Sequence, residues 1–176
     1  MSKKHPIISV IGSSGAGTST VKHTFEQIFR REGIKFAAIE GDAFHRYNRA
    51  DMKEELESRL NAGDETFSHF SFEANLLSEL ESVFREYGTT GYGKTRHYVH
   101  DEEEAAILGV SAGTFTEWEN FEDGSDLMFY EGLHGAVVSD DINIASHADL
   151  KIGVVPVINL EWVQKIHRDK ENRGYT

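Results

Sequence analysis

Hydrophobic positions along the chain switch between two patterns. Residues 7–11 (IISVI) form a nearly unbroken apolar run, short enough for a strand buried on both faces. From Gly17 the spacing changes to a helical period, with Val21, Phe25, Ile28 and Phe29 on one face. Arg30 and Arg31 in the last turn and Gly33 after it mark the stop. A second strand is predicted at 36–40 (FAAIE) and a charged helix around 51–61. A further helix over 73–87 should bury Leu76, Leu77, Leu80, Val83, Phe84 and Tyr87. Strands return at 126–132 (DLMFYEG) and 150–159 (LKIGVVPVIN), and a helix from about 160 to 172 closes the pattern. Strands alternating with helices predict an α/β fold, a parallel sheet flanked by helices on both faces.

Residues 88–125 break the alternation. "TTGYGKTRHYVH" alternates weakly around two glycines, and "DEEEAA" reads as a solvated helix start. "GVSAGTFTEWENF" reads as irregular or edge-strand structure, so this region is expected to be an excursion from the main sheet. With no repeat or linker, residues 1–176 are expected to form one domain. The chain stops at "RGYT" without a closing element, so further strands are expected elsewhere in a complete protein.

Composition narrows the function. Apolar residues make up 39% and charged residues 27%, a globular balance. No apolar run approaches the ~20 residues of a membrane span. The opening "MSKKHPIISV" leads into glycines and not into a cleavage site, so a cytoplasmic protein is expected. The absence of cysteine excludes disulfides, thiolate nucleophiles and Cys-ligated zinc. The net charge of -12 argues against non-specific nucleic-acid binding. A phosphate-bearing substrate would need a local basic cluster in such an acidic chain.

The stretch "GSSGAGTST" supplies the first candidate site: Gly12, Ser13, Ser14, Gly15, Ala16, Gly17, Thr18, Ser19 and Thr20. It lies between a buried strand and an amphipathic helix, the context of a phosphate-binding loop. Glycines let the backbone approach phosphate and turn its N–H groups inward, and the helix N-terminus adds a favourable dipole. Ser19 stands where a Mg²⁺-ligating hydroxyl belongs, but Thr18 replaces the usual lysine. The alternative is a glycine turn without a ligand. If the loop does hold phosphate, another cation should supply the missing charge. Lys165, Arg168, Asp169 and Asn172 share a face of the last helix, with Trp162 and Ile166 on a different part of its surface. A solvated helix face would look the same.

Acids at strand ends supply the second. Glu131 ends an apolar strand and is placed to hold Mg²⁺ directly or through water. Asp42 ends the second strand, where α/β sheets place their ligands, and suits a general base. His45, Arg46 and Arg49 follow it and suit a substrate phosphate; the alternative is a capped helix start with exposed arginines. Tyr98 and His100 in "RHYVH" are candidates to wall the acceptor pocket, or belong to an ordinary strand.

These segments, with "EGDAFHRYNRADMK", "FSHFSFEAN", "YVHDEEEA", "LMFYEGLHGAVV" and "ADLKIGVVPVINLEWVQKIHRDKENRGYT", resemble the proteobacterial branch of the phosphoribulokinase family within the P-loop kinases. The resemblance runs over essentially the whole chain, and that branch also lacks the loop lysine. It implies ATP- and Mg²⁺-dependent phosphorylation of D-ribulose 5-phosphate at its 1-hydroxyl, giving ribulose 1,5-bisphosphate for Calvin cycle carbon fixation. It implies Asp42 as base and Glu131 as the Mg²⁺-side acid, with Ser19. His45 and Arg49 would contact the sugar phosphate, and Lys165, Arg168, Asp169 and Arg173 would belong to a segment closing on the phosphates. Members of the family are longer than this chain, so it is expected to lack C-terminal strands and the rest of the lid. The branch also implies a homo-oligomer, often an octamer, activated by NADH and inhibited by AMP. Two rivals are a uridine-kinase-like enzyme, sharing the loop and the strand-end Asp, and a non-catalytic nucleotide-binding partner protein.

Overall fold

The computed structural model describes residues 4–171, with side chains to 167. Four parallel strands, β1 (Ile7–Ile11), β2 (Phe36–Glu40), β5 (Leu127–Gly132) and β6 (Leu150–Gly153), form a sheet in the order β2-β5-β1-β6. Two-residue strands β3 (Lys94–Thr95) and β4 (Glu119–Asn120) pair antiparallel apart from it, as expected of the excursion. The helices are α1 (Thr18–Glu32), α2 (Arg49–Asn61), α3 (Leu77–Thr90), α4 (Glu102–Leu108) and α5 (Ile158–Glu171).

Both sheet faces are covered, and side-chain parity decides which residue meets which helix. Ile7, Ala37, Ile39, Met128 and Tyr130 pack with Leu80, Val83, Phe84 and Tyr87 of α3. Val10, Leu127 and Phe129 pack on the opposite face with Val21, Phe25 and Phe29 of α1. By the same parity Glu40 and Glu131 belong to the α1 face, and the β2–β5 register places them side by side.

Local chemistry sets the ends. Gly33, Gly91 and Gly109 follow α1, α3 and α4 in the left-handed conformation that releases a helix. Asp101 caps α4, accepting from the amides of Glu103 and Glu104, which explains the short acidic helix. Several expected boundaries shift. Strand β6 ends at Gly153 because Pro156 lies in the expected run and has no N–H for a ladder; α5 then starts at Ile158. Residues 72–74 form a separate 3₁₀ turn, so α3 begins later than its apolar spacing suggested. Ile28 is 39% exposed, so the buried stripe of α1 is narrower than its four apolar positions.

The excursion is tied back by Arg96. Its guanidinium donates to the carbonyls of Ala43 and His45, both at 2.8 Å. It also lies 3.6 Å over the Phe115 ring and 4.7 Å over that of Trp118. Charged hydrogen bonds and a desolvated cation–π stack together lead us to expect Arg96→Met to cost about 2–4 kcal/mol. Urea unfolding measures this, and a loss under about 0.5 kcal/mol would contradict the anchoring role.

Candidate functional site

The parallel sheet gathers its functional residues at the carboxyl ends of the strands. Leaving β1, the chain turns through Gly12, whose amide donates to the Gly132 carbonyl, and enters α1. Gly15 and Gly17 hold φ of +96° and +94°, a region costly for any other residue. Gly17 caps α1 without a side-chain acceptor, so the first-turn amides have no side-chain cap. Ser19 and Thr20 are exposed on that first turn. Thr18, at the position of the absent lysine, is buried and its hydroxyl donates to Glu131. The replacement residue is therefore a neighbour of the strand-end acid.

A glycine pair brings the acids together. Gly41 follows β2 and Gly132 ends β5; a methyl group on Gly132 would meet the Gly41 Cα at 2.8 Å and the Tyr130 hydroxyl at 2.6 Å. With no Cβ on either, the strand ends close up and Asp42 lies on the same rim as Glu131. Burial, with the charges of Glu40 and Asp42, raises the Glu131 pKa against the opposing Thr18 hydrogen bond and Lys22. Lys22 pairs with Glu40, and burial, which alone would lower its pKa, is outweighed by the carboxylates of Glu40, Glu26 and Glu131.

Asp42 is half exposed on a single 3₁₀ turn (Gly41–Phe44). His45 Nε2 lies 3.5 Å from one carboxylate oxygen and His100 Nε2 3.6 Å from the other. Tyr98 stacks edge-on against both imidazoles, at ring-centroid distances of 6.0 Å from His45 and 5.0 Å from His100. Arg49 at the start of α2 donates to the His100 carbonyl at 2.6 Å. Asp42, His45, Arg49, Tyr98 and His100 thus come together. Arg46 does not: it turns outward to the carbonyls of Glu73 and Asn75, so the expected basic patch has one cation fewer.

Two histidines enter that were not singled out in the sequence. His69, from the loop before α3, lies 6.4 Å from His45 between ring centroids. His134, three residues after Glu131, is 8% exposed; its amide donates to Tyr130 Oη and its Nε2 lies 3.4 Å from the Phe70 carbonyl. Burial lowers the pKa of His45, His69 and His134, with the Asp42 charge opposing it in each case. Near neutral pH these imidazoles are therefore uncharged, able to donate or accept without adding cations.

Helix α5 lies against the loop. A methyl on Gly15 would meet the Glu161 carbonyl and Lys165 Cβ at 3.1 Å, and Ser13 donates to the Glu161 carboxylate at 2.5 Å. Lys165 Nζ lies 5.7 Å from the Phe70 ring centroid. A cavity of about 380 Å³ separates helix and loop, lined by Ser13, Ser14, Phe70, Leu133, Trp162 and Lys165. Ile166 lines it too, so Trp162 and Ile166 share the surface of Lys165, contrary to the helical-face expectation. Arg168 and Asp169 follow on α5, but their side chains, Asn172 and Arg173 lie outside the described residues.

Glu131 and Ser19 are hard oxygen donors beside the loop, the donor chemistry that suits Mg²⁺. Among the described residues no group of three or more His, Asp or Glu could enclose a metal ion.

The chain is 74% identical over 176 residues to phosphoribulokinase 2 of Cereibacter sphaeroides and 65% identical to phosphoribulokinase of Nitrobacter vulgaris. It spans 60% and 61% of the length of these curated relatives. The solved phosphoribulokinase from Rhodobacter spheroides superposes with a TM-score of 0.85 at 69% identity, over 99% of this chain and 59% of that one. A D-glycerate 3-kinase from Cryptococcus neoformans shares the fold at 12% identity, with a TM-score of 0.60 over 98% of this chain and 73% of that one. The family match itself runs over residues 7–176, from β1 through the loop and the strand-end acids into α5, and the chain belongs to the phosphoribulokinase / uridine kinase family.

Proposed function

We propose that the protein is an ATP-dependent kinase that phosphorylates the 1-hydroxyl of D-ribulose 5-phosphate. The carrying observation is the rim itself: the glycine loop after β1 and Asp42 after β2 lie at the carboxyl ends of one parallel sheet, and Asp42 lies between His45 and His100. The names of the relatives at 74% identity supply the choice of sugar. The loop amides and the α1 N-terminus hold the nucleotide phosphates. Asp42 orients the acceptor hydroxyl and takes its proton as the new P–O bond forms. Lys165 approaches the transferred phosphoryl from α5, and Arg168, Asp169 and Arg173 are assigned to the same closing segment. Ser19 and Glu131 would hold Mg²⁺, which neutralises phosphate charge when bound. Residues 1–176 serve as one kinase domain. Among the described residues no helix is long and apolar enough to cross a membrane. The opening sequence suggests a cytoplasmic location, and the resemblance adds a homo-oligomer responsive to NADH and AMP.

Two kinase acceptors compete within the family. Arg49 beside His45 and His100 suits an acceptor that already carries phosphate, whereas a nucleoside has no such charge to bind. The non-catalytic alternative drew its support from Thr18, and the hydrogen bond of Thr18 to Glu131 supports the catalytic reading instead. The discriminating assay is ADP release by the whole protein with ribulose 5-phosphate or with uridine. We expect release with the sugar phosphate and not with uridine; the reverse preference would overturn the assignment.

Arg49 and His45 are proposed to bind the phosphate already on the sugar. Arg49→Ala is expected to raise KM for ribulose 5-phosphate about tenfold or more, the scale of one charged hydrogen bond, while KM for ATP stays near the parent value. Steady-state kinetics with each substrate varied in turn checks this. Movement of the ATP constant alone would place Arg49 in the other pocket.

A further inference from the structure

Glu40 has no part in the chemistry proposed so far, yet it stands beside Glu131. The β2–β5 register pairs the two residues on neighbouring parallel strands, both on the α1 face of the sheet. Like charges side by side on one sheet face repel, and here both are partly withdrawn from water. Helix α1 answers the pair with two residues one turn apart. Thr18 donates its hydroxyl to Glu131, and Lys22 places its ammonium on Glu40. Helical side chains lean toward the N-terminus, which brings Lys22 back toward the level of Thr18 and the loop. The Lys22 side chain is 17% exposed, and its second acid, Glu26, lies farther away at 3.9 Å.

We propose that Lys22 is a positioning residue that occupies Glu40 and so presents Glu131, alone of the pair, to the divalent cation. The inference rests on the kinase reading for Glu131 and concerns a residue that does not itself touch phosphate. Without Lys22 the rim carries two uncompensated carboxylates. A cation would then be held more tightly but drawn between Glu40 and Glu131, away from the position that serves transfer.

The test is a titration of Mn²⁺, followed by its electron paramagnetic resonance signal, on the whole protein with a non-hydrolysable ATP analogue. Lys22→Met is expected to tighten Mn²⁺ binding about threefold to thirtyfold, the scale of removing one charge from a partly buried carboxylate pair. Its kcat with Mg²⁺ is expected to fall about fivefold or more. Adding Glu40→Gln removes the partner charge and should return both quantities toward the parent, and Lys22→Arg should stay near the parent throughout. Unchanged or weaker Mn²⁺ binding in Lys22→Met overturns the proposal, as does unchanged kcat or a double variant that restores neither. If Lys22→Met fails to fold while the double variant folds, charge conflict is confirmed as the cause; if both fail, Lys22 is a packing residue and the proposal is wrong. The Mn²⁺ titration needs no sugar, so an error in the acceptor assignment leaves it readable.

Discussion

Asp42→Asn is expected to lower kcat by about 10²–10⁴, the usual contribution of a positioned base, with nucleotide binding near the parent value. Phosphoryl transfer through a loose transition state leaves the protein mainly to position groups and neutralise charge. The acceptor hydroxyl still has a proton to lose, and a carboxylate in reach both orients it and accepts that proton. Asp42 stands on the rim at the end of β2, and two histidine nitrogens lie 3.5 and 3.6 Å from its oxygens. Glu131 is engaged by Thr18 on the α1 side, and Glu40 by Lys22, so Asp42 is the rim acid that faces the acceptor histidines. Asparagine keeps the shape and removes the basicity. An unchanged thermal midpoint together with the kinetic loss would separate chemistry from folding. A variant retaining more than about a tenth of the parental kcat would move the base elsewhere, with Asp169 the next candidate.

Lys165→Ala should lower kcat/KM at least about tenfold, equivalent to about 1.4 kcal/mol of transition-state binding. The loop has Thr18 where a lysine would neutralise the transferred phosphoryl, and Thr18 is turned to Glu131. Helix α5 brings Lys165 to the loop: its Cβ lies 3.1 Å from where a methyl on Gly15 would sit. The ammonium now lies beside the Phe70 ring, a contact worth little enough to be given up for phosphate. Because the charge is needed most as the phosphoryl group moves, the loss should fall on kcat more than on KM for ATP. Kinetics at saturating Mg²⁺ decides the matter. A variant within twofold of the parent would show that the compensating cation lies elsewhere.

Much of this arrangement could be read from residue order. A strand before the glycines and a helix after them located the loop, and Asp42 and Glu131 were legible as acids closing apolar strands. Tyr98 and His100 could be proposed, though not decided, because an alternating segment looks the same whether it walls a pocket or forms an edge. What escaped was carried by contacts between distant segments. His69 and His134 are single histidines on loops with no periodicity, and only the fold brings them toward His45 and Asp42. Arg96 was hidden in the excursion because its partners, the carbonyls of Ala43 and His45, are backbone groups with no sequence signature. Lys22 did leave a signal, a lysine one helical turn beyond the place where the loop lacks one. The end of β6 was also readable, since Pro156 interrupts an apolar run that otherwise suggests a longer strand.

The phosphorus NMR spectrum of the product formed by the whole protein from ribulose 5-phosphate and MgATP tests the central claim most directly. We expect ADP together with a second phosphomonoester resonance coupled to the C1 protons of the sugar, in equal amounts. ADP accompanied only by inorganic phosphate, or a new ester at any other carbon, would contradict it.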